Sequence, residues 1–297
     1  MKILLFGKNG QVGWELQRAL APLGELIALD RQASDGLCGD LTNLAGIAET
    51  INRIKPDVIV NAAAHTAVDK AESEPELAHT INAWACDVMA KAAYRLGAWL
   101  IHYSTDYVFD GSGEQPWQET DLTGPLGIYG ATKLAGEQLI QQSNCLHIIL
   151  RTSWVYGARG NNFAKTMLRL AQERDSLKVI NDQIGSPTGA ELLADVTAHI
   201  IRIALQKSEV SGIYHLVAAG ETSWHSYASF VLDYVRSTGV ELKVSASDIH
   251  PVPTSAFPTP AKRPHNSRLN TTKLENTFNL TMPSWQNGVT RMLAEIL

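Results

Sequence analysis

No apolar run in this sequence approaches the ~20 residues needed to cross a bilayer. The run at the N-terminus, Ile3 to Phe6, is too short for an export signal before Gly7 interrupts it. Cysteine is scarce. Cys38, Cys86 and Cys145 are an odd number, spaced to suit neither a disulfide framework nor a metal site. These absences predict a reduced, cytoplasmic protein with no membrane partner. An excess of positive charge is missing too: 25 Lys and Arg stand against 30 Asp and Glu, a net charge of -5, so nothing marks a nucleic-acid surface. Internal repeats and low-complexity tracts are absent. What is present is ordinary for a globular enzyme: 297 residues, 45% hydrophobic and 19% charged, enough for a large core and two lobes.

The chain opens with a continuous apolar strand, Lys2 to Phe6, followed at once by Gly7, Gly10 and Gly13 and then by Val12, Leu16, Ala19, Leu20 and Leu23 at helical spacing. Strand, glycine turn and helix form the context in which a glycine-rich loop binds a pyrophosphate. Gly7 and Gly10 let the backbone turn and approach the phosphates, Gly13 lets the helix pack on the strand, and the helix N-terminus supplies free N–H groups. The spacing is G-x-x-G-x-x-G. A second strand, Glu25 to Asp30, ends in an acid 17 residues after Gly13, close to where a carboxylate receives the adenosine ribose hydroxyls. That favours NAD, while Arg31 beside it suits a 2′-phosphate, so NADH and NADPH both stay open. Gly39-Asp40 turns into a helix over about 43–54 and brings Asp40 toward the adenine. The third strand, Pro56 to Val60, runs into the small residues Asn61 to Ala64, which leave room for a ligand at the carboxyl end of a parallel strand. His65 is expected to line that space.

Tyr129 and Lys133 lie four apart, on one face of a helix that begins after Pro125 and Gly127. The pair reads as a phenol that protonates a carbonyl beside an ammonium that favours the phenolate. The fourth strand, about 98–103, delivers Ser104 and Thr105 to the same sheet edge, where the Thr105 hydroxyl is placed to hydrogen-bond a substrate carbonyl. Upstream, Leu77, Ile81, Ala85, Val88, Ala92 and Leu96 form a single stripe on one long helix.

The C-terminal half predicts a fifth strand, Leu146 to Leu150, helices near 163–174, 188–203, 223–236 and 285–297, and a returning strand at 212–216. Residues 245–272, rich in proline, read as an ordered substrate loop whose Lys262, Arg263 and Arg268 meet a diphosphate. The expected fold is a Rossmann-type, doubly wound parallel α/β sheet with a smaller C-terminal α/β substrate lobe. Residues 1–155 and about 186–217 form the dinucleotide part; about 156–185 and 218–297 form the nucleotide-sugar part.

With Gly7-x-x-Gly10-x-x-Gly13, Asn61-Ala62-Ala63-Ala64, Ser104-Thr105-Asp106 and Tyr129-x-x-x-Lys133 in place, the chain resembles the extended short-chain dehydrogenase/reductase superfamily along its whole length. The phrases 6–13, 64–69, 104–111, 151–156, 182–188 and 263–267 resemble more narrowly a branch that reduces the C4 ketone of a nucleotide-linked deoxysugar. The resemblance implies that Tyr129 protonates the sugar oxygen, Lys133 holds the nicotinamide ribose, and Thr105 bonds the substrate at the reacting carbon. It also implies dinucleotide contacts from Gly10, Gln11, Val12, Asp30, Asp40, Ala63, Ala64 and His65, and substrate contacts from Ser104, Asp106 and Trp154. Dehydratases of the superfamily carry Asp-Glu after the threonine; here Asp106 is followed by Tyr107, which implies reduction rather than loss of water. The same resemblance implies a magnesium ion at Glu15 and Glu191 near a homodimer contact. Within the superfamily, other nucleotide-sugar reductases and epimerases fit these motifs, and a non-catalytic dinucleotide-binding subunit is the reading from another class.

Overall fold

Ile3, Leu4, Leu5 and Phe6 are all fully buried, as a strand covered on both faces must be. In the computed structural model, which describes residues 1–33 and 35–297, the first half runs β1 (Lys2–Phe6), α1 (Gln11–Leu20), β2 (Glu25–Leu29), α2 (Leu44–Ile54), β3 (Val58–Asn61), α3 (Val68–Ser73), α4 (Pro75–His79), α5 (Ala85–Leu96), β4 (Trp99–Thr105), α6 (Ile128–Gln142) and β5 (Leu146–Thr152). The second half holds β6 (Val155–Tyr156), α7 (Phe163–Glu173), β7 (Leu177–Ile180), β8 (Ile184–Gly185), β9 (Thr188–Gly189), α8 (Ala190–Ala204), β10 (Gly212–His215), β11 (Thr222–Ser223), α9 (Trp224–Ser237), β12 (Ile249–Val252), α10 (Thr272–Phe278) and α11 (Trp285–Ile296).

Six strands form one parallel sheet in the order β2-β1-β3-β4-β5-β10. This is the doubly wound α/β sheet that the sequence predicts. Side chains alternate across it. Ile3 and Leu5 pack with Leu16, Leu193 and Ile200 under α1 and α8, while Leu4 and Phe6 pack with Ile47, Ile51 and Met89 under α2 and α5. Strand order reverses between β1 and β3, and a crevice opens there at the carboxyl ends of the strands.

Smaller apolar clusters lie outside the sheet. One gathers Tyr156, Tyr227, Val231, Trp285, Val289 and Leu293; another gathers Met167, Leu177, Val179, Leu232, Val244 and Ile249. The proline-rich segment is well tied down. β12 pairs with β7, with Ile249 opposite Leu177. The Thr254 N–H donates to the Asp182 carboxylate at 2.9 Å, and the Asn266 amide donates to the carbonyls of Ser112 and Gln115.

The stripe expected from Leu77 to Leu96 holds from Ile81 onward, where Ile81, Ala85, Val88, Ala92 and Leu96 pack in one core cluster, and fails at Leu77. A wider π-helical turn, Thr80–Trp84, separates α4 from α5 and adds a residue to the repeat. Leu77 is turned outward at 38% exposure, while Ala78, Ile81, Asn82, Ala85, Cys86 and Met89 face inward. The buried Asn82 then bonds across elements: its Oδ1 accepts the His65 N–H at 2.8 Å, and its Nδ2 donates to the Thr132 hydroxyl at 3.1 Å.

Candidate active site

Gly7 follows β1 with φ at +90°, and a Cβ there would stand 2.8 Å from the backbone of Ala62 and Ala63 at the end of β3. The loop therefore closes on the neighbouring strand only as glycine. A Cβ on Gly13 would stand 2.0 Å from the Gly7 carbonyl oxygen, so α1 lies directly on the loop it follows. Gly10 caps α1 without a side-chain bond, which leaves first-turn N–H groups unpaired at the crevice.

Two adjoining cavities share this loop. The first, about 480 Å³, is lined by Gly7, Gly10, Asp30, Arg31, Gly39, Asp40, Ala63 and Ala64, with Asn9 and Gln32 added, which the sequence reading did not single out. The Asn9 amide donates to the Asp30 carboxylate at 2.6 Å, while the Asp40 carboxylate accepts the Thr42 N–H and hydroxyl. The second, about 510 Å³, runs from Gly7, Gly10, Gln11 and Val12 past Ala63 and Ala64 to Ser104, Thr105, Asp106, Tyr129, Lys133 and Trp154. Gly13 and His65 line neither cavity. His65 is buried behind the loop with Nε2 3.5 Å from a Glu74 carboxylate oxygen, an acidic neighbour that only the fold brings near.

At the far end of the second cavity, Tyr129 stands in the first turn of α6, edge-on to Tyr107 with ring centres 5.4 Å apart. Burial pushes its phenol up to about 12, opposed by the nearby Thr105 hydroxyl. The Thr105 hydroxyl also donates to the Asp106 carboxylate at 3.0 Å. Burial lifts Asp106 to about 6, and its Oδ2 is buried without a hydrogen-bond partner. Lys133 is only 2% exposed. Its Nζ donates to the Tyr103 carbonyl at 2.5 Å and lies 3.1 Å from His102 Nε2. Both partners belong to β4, and Lys133 lines the second cavity together with Tyr129. The Ser104 hydroxyl donates to the buried Glu137 carboxylate, which also receives Arg151. An isolated ionisable residue inside an apolar strand run is the one sequence signal that points to His102.

Trp154 follows β5 with φ at +49°, a costly conformation for a bulky residue that clusters at ligand sites. Its ring stacks on Trp224 at 3.6 Å. Beyond it lies a cavity of about 290 Å³ bounded by Tyr107, Phe163, Gln183, Trp224, Phe257 and Arg263. Arg263 and Arg268, expected at a diphosphate, are held by carboxylates: Arg263 grips Asp69 through both terminal nitrogens, and Arg268 Nε donates to Glu221 at 2.6 Å.

The crevice fits a dinucleotide, with its glycine cradle, small-residue floor and terminal carboxylate. Comparison with known proteins bears on which chemistry it serves. The sequence matches the family described as RmlD substrate binding domain over residues 1–297. The dTDP-4-dehydrorhamnose reductase of Shigella flexneri is 63% identical over 296 residues, spanning all of this chain and 98% of that protein. The chain belongs to the dTDP-4-dehydrorhamnose reductase family. It is an oxidoreductase dependent on a nicotinamide dinucleotide. Two solved members of the family have the same fold. The enzyme from Clostridium acetobutylicum superposes with a TM-score of 0.87 at 38% identity, covering 100% of this chain and 99% of that one. The enzyme from Bacillus anthracis, solved in complex with NADP, gives 0.87 at 37% identity over 99% of each chain.

The family resemblance also raised magnesium at Glu15 and Glu191. Glu15 is engaged by Arg18 at 3.4 Å and Glu191 by Arg291 at 3.5 Å. Among the described residues, no group of three or more His, Cys, Asp or Glu side chains is arranged to hold a metal ion. These residues do not fit a metal centre within one chain, and no chemistry is assigned to one. No helix among the described residues is long and apolar enough to cross a membrane.

Proposed function

We propose that this enzyme reduces the C4 ketone of dTDP-4-dehydro-L-rhamnose to give dTDP-L-rhamnose, with NADH or NADPH as the reductant. One observation carries the reading: Tyr129 and Thr105 stand together at one end of a cavity whose other end is the glycine loop. Identity of 63% to a reductase of this name supports the substrate.

The bound dinucleotide supplies a hydride. The chain's own residues do the rest. Gly7 to Val12 receive the pyrophosphate, and Asp30 and Asp40 hold the adenosine end beside Arg31, which suits a 2′-phosphate. Ala63 and Ala64 leave room for the nicotinamide half. Thr105 orients the ketone oxygen, and Tyr129 Oη gives it a proton. A phenol held near 12 keeps its proton at neutral pH until charge develops on that oxygen. Asp106 Oδ2 meets a sugar hydroxyl, and Trp154 covers the ring. Much of the rate comes from holding donor and ketone face to face away from water. The dinucleotide falls to residues 1–155 with about 186–217, and the sugar nucleotide to about 156–185 with 218–297.

The test is consumption of NADH or NADPH with dTDP-4-dehydro-L-rhamnose made in place by the preceding dehydratase and epimerase. Oxidation that requires both upstream enzymes and yields dTDP-L-rhamnose is expected. Binding of dinucleotide without oxidation would overturn the substrate assignment.

A further inference from the structure

Beneath the cavity, four side chains from four elements meet with almost no exposure: Asn61 from β3, Cys86 from α5, His102 from β4 and Lys133 from α6. Their hydrogen bonds can be assigned one at a time. The Ala63 N–H can only donate, and it points to Asn61 Oδ1 at 3.2 Å. That fixes the amide, so Asn61 Nδ2 faces His102 Nδ1 at 3.1 Å as a donor. The Cys86 thiol donates to the Asn82 carbonyl at 3.3 Å and leaves its sulfur to accept the second Nδ2 hydrogen. His102 Nδ1 is therefore an acceptor. Burial keeps the ring neutral, so its single proton sits on Nε2, and Nε2–H points at Lys133 Nζ across 3.1 Å.

An ammonium has three hydrogens and no lone pair. It would set donor against donor at His102. A free amine completes the pattern: its lone pair accepts Nε2–H, and one of its hydrogens goes to the Tyr103 carbonyl. Among the described residues, no carboxylate is hydrogen-bonded to Nζ, and the one whose charge reaches it is already paired. Glu137, one turn along α6, is paired with Arg151 at 2.7 Å. The other ionisable group acting on Nζ is the Cys86 thiol, which burial keeps protonated, raised to about 11.

We propose that Lys133 rests as the free amine, held so by the Nε2–H of His102, and takes up a proton from solvent when a dinucleotide enters the cavity. His102 is then a positioning residue for the Tyr129–Lys133 pair. The anionic diphosphate and the ribose hydroxyls reward the charged form that the empty site disfavours. The proton adds to the Nζ lone pair, no bond other than N–H is made, and the gained charge offsets one charge of the ligand. The inference rests on the dinucleotide reading of the cavity but not on the sugar substrate.

Proton uptake on binding NADH tests it directly. NADH lacks the 2′-phosphate that would itself titrate near neutrality. Calorimetry at about pH 7.5 in buffers of different ionisation enthalpy should give about one proton taken up per NADH bound. His102→Gln presents a carbonyl oxygen to Nζ, so its Lys133 stays charged throughout, and uptake should fall to near zero while NADH still binds. Binding of NADH to the wild-type protein without uptake would overturn the proposal, whatever the variant does. Equal uptake by wild type and His102→Gln would overturn the role of His102. Failure of the wild-type protein to bind NADH would instead sink the dinucleotide reading. In the dinucleotide-free protein, the lysine 13Cε resonance that vanishes in Lys133→Met should show the shift of an uncharged amine; an ammonium shift there would also defeat the proposal.

Discussion

Glu137 Oε2 and Arg151 Nη2 lie 2.7 Å apart with 1% and 3% of their side chains exposed, and the Ser104 hydroxyl is bonded to the same carboxylate. The guanidinium also lies over the Phe109 ring, 5.0 Å from its centre. This ion pair ties α6, which carries Tyr129 and Lys133, to the end of β4, which carries Thr105, and to the end of β5, just before Trp154. Removing one partner leaves a buried charge alone. Glu137→Leu should cost about 3–5 kcal/mol of stability, read as a lowered denaturant midpoint. The double variant Glu137→Leu with Arg151→Met should recover much of that loss. A single variant as stable as the parent would show that the pair bears no strain of desolvation.

Tyr129→Phe removes the proposed proton donor and keeps the ring beside Tyr107. Turnover should fall by at least ~100-fold, the low end for general acid catalysis, while the dissociation constant for NADH stays nearly unchanged. A turnover number close to that of the parent would remove Tyr129 from its assigned role.

Asp106 gives the enzyme a dependence on pH. Its carboxyl is held up near 6 by burial, above the ordinary 3.8, so the folded protein binds this proton more tightly than the unfolded chain. The stability it confers is present below about pH 4 and is lost as pH rises through 6. The span corresponds to at most about 3 kcal/mol. Asp106→Asn should remove that part of the pH dependence, and its stability relative to the parent should improve between pH 4 and pH 7. No change in that difference with pH would mean that the carboxyl titrates as in solution.

Gly13→Ala sets a methyl group 2.0 Å from the Gly7 carbonyl oxygen. The obstacle is backbone, so α1 and the glycine loop must separate. A stability loss of about 1–3 kcal/mol is expected, with NADH affinity weakened at least tenfold because the N–H groups of α1 shift. Unaltered affinity would show that the loop does not depend on this contact.

Local pattern made much of the molecule legible. β1, the glycine turn and α1 follow from consecutive residues, and so does the pairing of Tyr129 with Lys133 on one helical face. What sequence did not show depends on long separations or on broken periodicity. The π-helical turn at Thr80–Trp84 takes Leu77 out of a stripe that otherwise holds from Ile81 to Leu96. Arg263 reads as a free phosphate ligand until the fold brings Asp69, 194 residues away in sequence, into its grip. His65 shows no acidic partner in sequence because Glu74 reaches it only by way of α3, which lies between them in the chain. Lys133 reads as an ammonium beside a phenol, and nothing in the spacing reveals the histidine and the carbonyl that β4 also offers it.

The order in which the site is assembled along the chain has a consequence for its birth on the ribosome. The six-stranded sheet and the glycine loop are complete in sequence once His215 has been added, with the last strand already in hand. The wall that closes the cavity beyond Trp154 needs Trp224, Phe257 and Arg263. A nascent chain can therefore acquire its dinucleotide crevice well before it can enclose a second ligand. The Asp69–Arg263 clasp joins an early helix to a late segment, so it becomes possible only after the last strand of the sheet has been made.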